Sequence, residues 1–353
     1  MLELTVVMSV YNGEPYLIPA LESILSQSFR DFEFLIVDDG STDGSTEILE
    51  TYARRDSRIT LIRQENAGVY ASLIKACALV TTPYIARMDA DDISAPDRLE
   101  RQLDFLRRNR EVALLGGAAK YINGAGEVLF TVEFPTSDDD IRARLTTGNA
   151  FATSAVVMRR DAMLMVGGFR RAFLLAGDYD LWLRITERYK VANLPAVLIS
   201  YRVHAKQLTS TGLERQVLAG IAARVSAKMR QALEEDPFDS TAPVSREQLS
   251  RLGVASSEIE DQIGKTYAAW AEVMRQAGYY EGAATLAKEA RRRGGVRVLT
   301  RKKLAQFYFA YARASVLEGS LLRGAIPAVC AVYLDPALLL RLFRRLLGKA
   351  IER

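Results

Sequence analysis

Cysteine and histidine are scarce in this chain. Only Cys77, Cys330 and a single histidine, His204, occur among 353 residues. Two distant cysteines exclude a disulfide framework and a cysteine-built zinc site, and they suit a reducing cytoplasm. Long apolar runs are missing as well. No stretch approaches the roughly 18 residues needed to cross a bilayer, and the best, Gly324 to Leu334, contains Pro327. The opening MLELTVVMSVYN has no basic segment before its apolar run and turns polar at Tyr11-Asn12, which argues against a signal peptide. Excess charge of either sign is also absent. The net charge of +4 is too small to imply nucleic acid. G-x-G-x-x-G does not occur in the first hundred residues, which counts against a dinucleotide cofactor. What is present is an ordinary globular composition, 49% hydrophobic and 25% charged, with length enough for two units.

The first hundred residues alternate between two periods. Short β-rich runs at Leu4–Ser9, Phe32–Val37, Ile59–Arg63 and Tyr84–Met88 predict strands, and helical spacing separates them, as in Gly68–Leu79. That alternation predicts a parallel sheet with right-handed crossovers. Ligands of such sheets bind at the carboxyl ends of the strands. The polar motifs fall there: YNGE, DDGSTD, QENAG and DADD. Farther on, Ser137 reads as an N-cap for SDDDIRARL, GNAFATSAVVMRRD holds a strand, AGDYDLWLRITER enters a helix, and 196–204 is a last strand. Beyond about residue 213, Ala, Leu, Arg, Lys and Glu dominate at helical spacing. The chain therefore divides into an α/β domain over 1–212, a helical connector over 213–260, and helical hairpins over 261–353. The hairpins loosely resemble tetratricopeptide units, with breaks at Gly278 and Gly319.

Four constellations carry chemistry. In IARMDADDI, Asp89 and Asp91 leave one face of an extended segment. Hard oxygen ligands at that spacing suit Mg²⁺ or Mn²⁺, and an ion would relieve their mutual repulsion. The alternative is a solvated acidic loop ahead of the helix near Pro96-Asp97. Asp92 alternates to the other face and is read as a cap for that helix. In DDGSTD, Asp38 and Asp39 end a hydrophobic strand, as acceptors for a nucleobase or ribose or simply as turn residues. In GDYDLWLR, Asp178 stands at a helix start, as a general base or as a cap. In YRVHAKQLTS, His204 follows Arg202 and a strand, in a packing role or facing metal or phosphate.

Taken together and in order, VVMSVYNGEPYL, LIVDDGSTDGS, NAG, YIARMDADDI, GDYDLWLRI and YRVHAKQLTS resemble a family 2 glycosyltransferase of the bacterial cell-surface polysaccharide type, over roughly Leu4 to Ser210. The resemblance implies an α/β fold of GT-A type, a Rossmann-like mixed sheet flanked by helices, here with a C-terminal all-helical extension. It implies inverting transfer of one sugar from a nucleotide-sugar donor, most often a UDP-sugar, with Mn²⁺ or Mg²⁺ as cofactor. The acceptor would be a hydroxyl of a glycan or lipid-linked acceptor in O-antigen, capsule or exopolysaccharide biosynthesis. Carried over residue by residue, Asp178 is the catalytic base, and Tyr11, Asn12, Asp38, Asp39, Gly68, Asp89 and Arg202 serve the nucleotide. Asp91, Asp89 and His204 serve the metal. The chain departs from the family pattern at Gly177, where Glu is common, at Lys75, where Asn is frequent, and at Thr153, where many relatives have His.

The last third adds charge. Residues 288–303 hold eight basic residues and one acid, and 337–353 (ALLLRLFRRLLGKAIER) form an amphipathic pattern with arginines opposite leucines. Such a helix reads as a contact for an anionic membrane surface or a partner, or as a terminal helix packed on its neighbours. The expected location is cytoplasmic, peripheral at the inner face of the cell membrane. No Q-x-x-R-W motif of processive synthases is present. Two rival readings remain. One is a haloacid-dehalogenase-like phosphatase, from the near match of DADDI to D-x-D-x-[TV]. The other is a non-catalytic nucleotide-sugar-binding protein.

Overall fold

A computed structural model describes residues 2–338 except 174, 206, 208–211 and 239–241. Most of the helix expected at 337–353 lies outside the described residues. The chain forms two compact units, one of residues 1–202 and 218–246, the other of 203–217 and 247–353.

The first unit begins with the expected alternation: β1 (Leu4–Val10), α1 (Glu14–Leu25), β2 (Phe32–Asp38), α2 (Ser45–Arg55), β3 (Ile59–Arg63), α3 (Val69–Leu79) and β4 (Tyr84–Asp89). Then follow β5 (Ile93–Ser94), α4 (Arg98–Arg108), β6 (Val112–Ile122), β7 (Val128–Val132) and α5 (Asp138–Leu145). A 3₁₀ turn (Thr153–Ala155), β8 (Val157–Arg159), α6 (Arg160–Met165), α7 (Gly177–Thr186) and β9 (Lys190–Arg202) complete the sheet. Its order is β3-β2-β1-β4-β8-β6-β9-β5, with β7 on β6. The first four strands are parallel, as the alternation predicts. β8 runs antiparallel to both β4 and β6, which makes the sheet mixed.

The apolar alternation explains the layers. Leu4, Val6, Met8, Phe34 and Ile36 join Leu17, Leu21 and Ile24 of α1, Leu49 of α2, and Leu99, Leu103 and Leu106 of α4 in one buried cluster. The intervening Val7, Leu35 and Val37 are buried too, and α3 packs on β1 and β2. Both faces of these strands are therefore covered, as parallel sheets require. Each such side chain is worth roughly 1.5–3 kcal/mol on burial. Register then aligns the strand ends: Val10 pairs with Asp38, Asp38 with Arg63, and Ser9 with Asp89.

β6 (VALLGGAAKYI) was not legible as a strand, because its centre carries two glycines. Neighbours fill the missing side-chain space. A Cβ at Gly117 would lie 2.5 Å from Leu198 Cδ1, and one at Gly116 would lie 2.3 Å from Asn193 Oδ1.

The first unit also holds a buried ionic network. Asp180, fully buried on α7, accepts from Arg184 Nη2 at 2.7 Å and from Arg170 Nε at 3.0 Å. Arg170 Nη1 continues to Asp236 at 2.8 Å, which also accepts from Ser226 at 2.6 Å and Arg230 at 2.7 Å. Burial pushes the Asp236 carboxyl up, but these hydrogen bonds more than reverse it and hold it below the usual carboxylate range.

The second unit is helical. Its hairpins are α10 (Ser256–Gln276) with α11 (Tyr280–Val298), and α12 (Arg301–Leu317) with α13 (Leu321–Leu334). Before them come α8 (Leu213–Gln231), shared between the units, and α9 (Arg246–Arg251). Gly278 and Gly319 take the left-handed conformations expected at the breaks. Part of the basic run is met within this unit. Arg293 pairs with Glu214 at 2.7 Å and Glu260 at 3.1 Å, and Lys303 pairs with Glu272 at 3.5 Å. Among the described residues, no helix is long and apolar enough to cross a membrane.

Candidate active site

The first two loops beyond the sheet are tied to each other. Asn12 adopts a left-handed φ of 51°, its backbone N–H donates to Ser41 Oγ, and its Oδ1 accepts the Thr42 N–H at 2.8 Å. Tyr11 beside it is 52% exposed, free to meet a flat ligand ring. Asp38 and Asp39 are both buried. Asp38 accepts from Ser41 N–H and Thr46 Oγ1. Asp39 accepts from the N–H groups of Ala67 and Gly68, at 3.0 and 2.8 Å, and from Gln64 Nε2 at 2.7 Å. It therefore clamps the loop after β3. Gly68 holds φ 89° with open space where a Cβ would stand, so its backbone can be approached closely.

The acids after β4 are arranged differently from the extended run that their spacing predicted. The strand ends at Asp89, and Ala90-Asp91 make a turn. Asp89 is salt-bridged to Arg87 Nη2 at 2.7 Å through one oxygen and accepts from Ser154 Oγ at 2.7 Å through the other. Asp91 is half-buried on the turn. Asp92 is no helix cap, because the cap position of α4 is held by Asp97. It is 1% exposed, accepts the Arg202 N–H at 2.9 Å, and lies 2.5 Å from Ser154 Oγ. Burial, and then the charges of Asp91 and Asp89, push its carboxyl far up. A hydroxyl carries one proton. The Ser154 proton is therefore shared between the Asp89 and Asp92 carboxyls.

Positive charge lies directly beneath these acids. Arg98 is wholly buried and donates to the carbonyls of Arg87 and Val156 and to Gln102 Oε1. Burial lowers its guanidinium to about 9, against the pull of Asp92 and Asp89. Arg87 is 6% exposed, and its Nε is buried without a hydrogen-bond partner among the described residues. Burial pulls its guanidinium down, but Asp89, Tyr70 and Asp178 outweigh that and raise it. Arg202, 4% exposed, donates from Nε to the Asp91 carbonyl and from Nη1 to the carbonyls of Asn123 and Gly124, and it lies over the Tyr16 ring. Its donors fasten the acidic turn.

Asp178 stands in the first turn of α7, half-buried. Its carboxylate accepts from Thr153 Oγ1 at 2.5 Å, Tyr70 Oη at 3.1 Å and Asn149 Nδ2 at 3.4 Å. Thr153 and Ser154 are consecutive in one 3₁₀ turn, so a single turn holds Asp178 on one side and the Asp89–Asp92 pair on the other. His204 falls in the second unit, where its backbone N–H donates to Gln207 Oε1 at 2.8 Å. Sequence reading missed Tyr70, Arg87, Asn149 and Ser154 as site residues. Thr153 carried a signal, as a departure from the family pattern.

The donor set around Asp91 and Asp89 is hard oxygen, partly exposed, and suits a divalent ion of the magnesium type. Among the described residues no group of three His, Cys, Asp or Glu side chains is gathered around a point. Such ions are commonly held by one or two carboxylates, with substrate phosphates completing the shell.

Residues 5–164 match the profile of Glycosyl transferase family 2. Putative glycosyltransferase EpsE of Bacillus subtilis is 35% identical over 205 residues, spanning 57% of this chain and 73% of that protein. O-antigen biosynthesis glycosyltransferase WbnJ of Escherichia coli is 30% identical over 231 residues, spanning 64% and 90%. Among solved structures, S. aureus TarS 1–349 in complex with UDP-GlcNAc is similar at TM-score 0.53 and 14% identity, covering 92% of this chain and 91% of that one. Mannosyltransferase PcManGT from Pyrobaculum calidifontis, in complex with GDP-Man and Mn²⁺, is similar at TM-score 0.52 and 18% identity, covering 91% and 87%.

Proposed function

The chain belongs to glycosyl transferase family 2, and from that premise we propose that it moves one sugar, with inversion, from a UDP-sugar to a hydroxyl of a glycan or lipid-linked acceptor in cell-surface polysaccharide synthesis. It is a glycosyltransferase of GT-A type with relatives in polysaccharide biosynthesis. A UDP-linked donor draws support from the ligand named with TarS, and a divalent metal from the ion named with PcManGT. The observation that carries the reading is the 3₁₀ turn at Thr153–Ala155. It holds a half-buried carboxylate, Asp178, beside the acids at the end of β4.

In this reading Tyr11 and Asn12 form one wall of the nucleotide pocket. Asp39, with Asp38 behind it, sets the loop at Gly68 against the nucleotide. Asp91 holds the metal with Asp89 beside it, and Arg202 keeps the turn in place. The bound ion supplies positive charge to the departing diphosphate. Asp178 takes the proton of the acceptor hydroxyl as that oxygen attacks the anomeric carbon from the side opposite the leaving group. Holding donor and acceptor together removes much of the entropic barrier.

Asp91→Ala tests the metal assignment. The parent's melting temperature is expected to rise with UDP-glucose or UDP-GlcNAc plus Mn²⁺, and to rise less without the ion. The variant should lose the Mn²⁺-dependent part. An undiminished Mn²⁺-dependent rise in the variant would remove Asp91 from the metal site.

A further inference from the structure

The position before the proposed base is glycine, and the structure supplies a physical reason. A Cβ on Gly177 would lie 2.6 Å from Tyr70 Cε1 and 2.7 Å from Cδ1, so the ring of Tyr70 occupies the space of a side chain at 177. Tyr70 comes from α3, just after the loop that Asp39 clamps, and reaches α7 across 108 positions of sequence. Its hydroxyl meets Asp178 twice. It donates to Asp178 Oδ1 at 3.1 Å and accepts the Asp178 backbone N–H at 3.3 Å. That N–H belongs to the first turn of α7, where backbone donors have no partner within the helix. One phenol thus fixes both the helix start and the carboxylate it carries. The ring is held in turn by Phe169, with centroids 5.8 Å apart, and is buried. Burial, and then the negative charge of Asp178, raise the phenol well above its ordinary value, so it stays a donor throughout the neutral range.

We propose that Tyr70 is a positioning residue for the transfer step, and that Gly177 is its structural complement. The phenol and the bare α-carbon together hold the Asp178 carboxylate where it meets the acceptor hydroxyl. The inference rests on Asp178 being the base. It goes beyond that assignment by naming what aims the base and why this chain carries no side chain at 177. Tyr70 has no part in leaving-group departure, so its loss acts on turnover rather than on donor affinity.

The test uses the full chain, with Mn²⁺ and UDP-glucose, UDP-GlcNAc and GDP-mannose as probe donors. Release of nucleoside diphosphate to water is measured together with donor-induced melting shifts. Tyr70→Phe keeps the ring and removes only the hydroxyl. Its kcat should fall about ten- to a hundredfold, with the donor KM within about twofold of the parent. Gly177→Ala keeps the hydroxyl and pushes the ring, and should show the same split. Adding Tyr70→Phe to Asp178→Asn should cost nothing further, because groups acting as a unit are not additive. Melting temperatures confirm that each variant folds, and if Gly177→Ala does not, Tyr70→Phe alone decides. A Tyr70→Phe kcat within about twofold of the parent, alongside an inactive Asp178→Asn, overturns the positioning role and leaves the base intact. An active Asp178→Asn overturns the base assignment itself.

Discussion

Asp178→Asn is expected to leave donor binding intact and to reduce transfer by about 10²–10⁴-fold, the usual worth of a positioned general base. Asparagine has the same shape, so the hydrogen-bonding shell of Tyr70, Thr153 and Asn149 can still hold it. It cannot accept the acceptor proton. The Asp89–Asp92 acids and the Asp39 clamp are untouched by the change. Melting shifts with UDP-sugars and Mn²⁺ should therefore match those of the parent, while diphosphate release falls. A rate within a fewfold of the parent would place the base elsewhere.

Asp180→Ala should produce the largest loss of stability. Asp180 is fully buried and bridges Arg170 and Arg184, which are themselves largely buried. Burial pulls the Arg184 guanidinium down, and Asp180 is what opposes that pull. Removing one partner of a buried ion pair leaves a charge without compensation, at a cost of about 3–5 kcal/mol. Urea unfolding should show a lower midpoint for the α/β unit with an unchanged slope. Asp180 sits two residues from Asp178 on the same helix, so activity should fall with it. A midpoint shift worth less than about 1 kcal/mol would mean that solvent reaches the network.

Much of the α/β unit was legible, because β-branched runs and helical spacing alternate cleanly through β4. The register of parallel strands then brought YNGE, DDGSTD, QENAG and DADD to one edge, as the strand-end rule requires. β6 escaped because its signal lies in side chains that other elements contribute. Gly116 and Gly117 are small because Asn193 and Leu198 fill their space. The same limit applies to the site. Asp178 and Asp180 look like twins in GDYD, yet two positions on a helix differ by about 200°. One faces the site and the other the arginine network. IARMDADDI posed a repulsion problem that seemed to need an ion. Arg87 is paired with Asp89 and Arg98 is buried beside the same acids, so an ion is asked to meet less of the repulsion than the bare sequence suggested. Tyr70 could not be found from spacing, since its link to Asp178 spans 108 positions. Gly177, as a departure from the family pattern, was the visible trace of it. The basic run at 288–303 looked unopposed because Glu214, Glu260 and Glu272 lie outside it.

The proposed reaction is a single displacement at the anomeric carbon assisted by Asp178. Proton NMR of the sugar first released from UDP-α-D-glucose, or from whichever α-linked donor is hydrolysed, reads the stereochemistry of that step. Spectra must be taken before mutarotation equilibrates the anomers. Attack opposite the diphosphate predicts that the β-anomer appears first, and that Asp178→Asn suppresses its formation. Initial release of the α-anomer would rule out a single displacement.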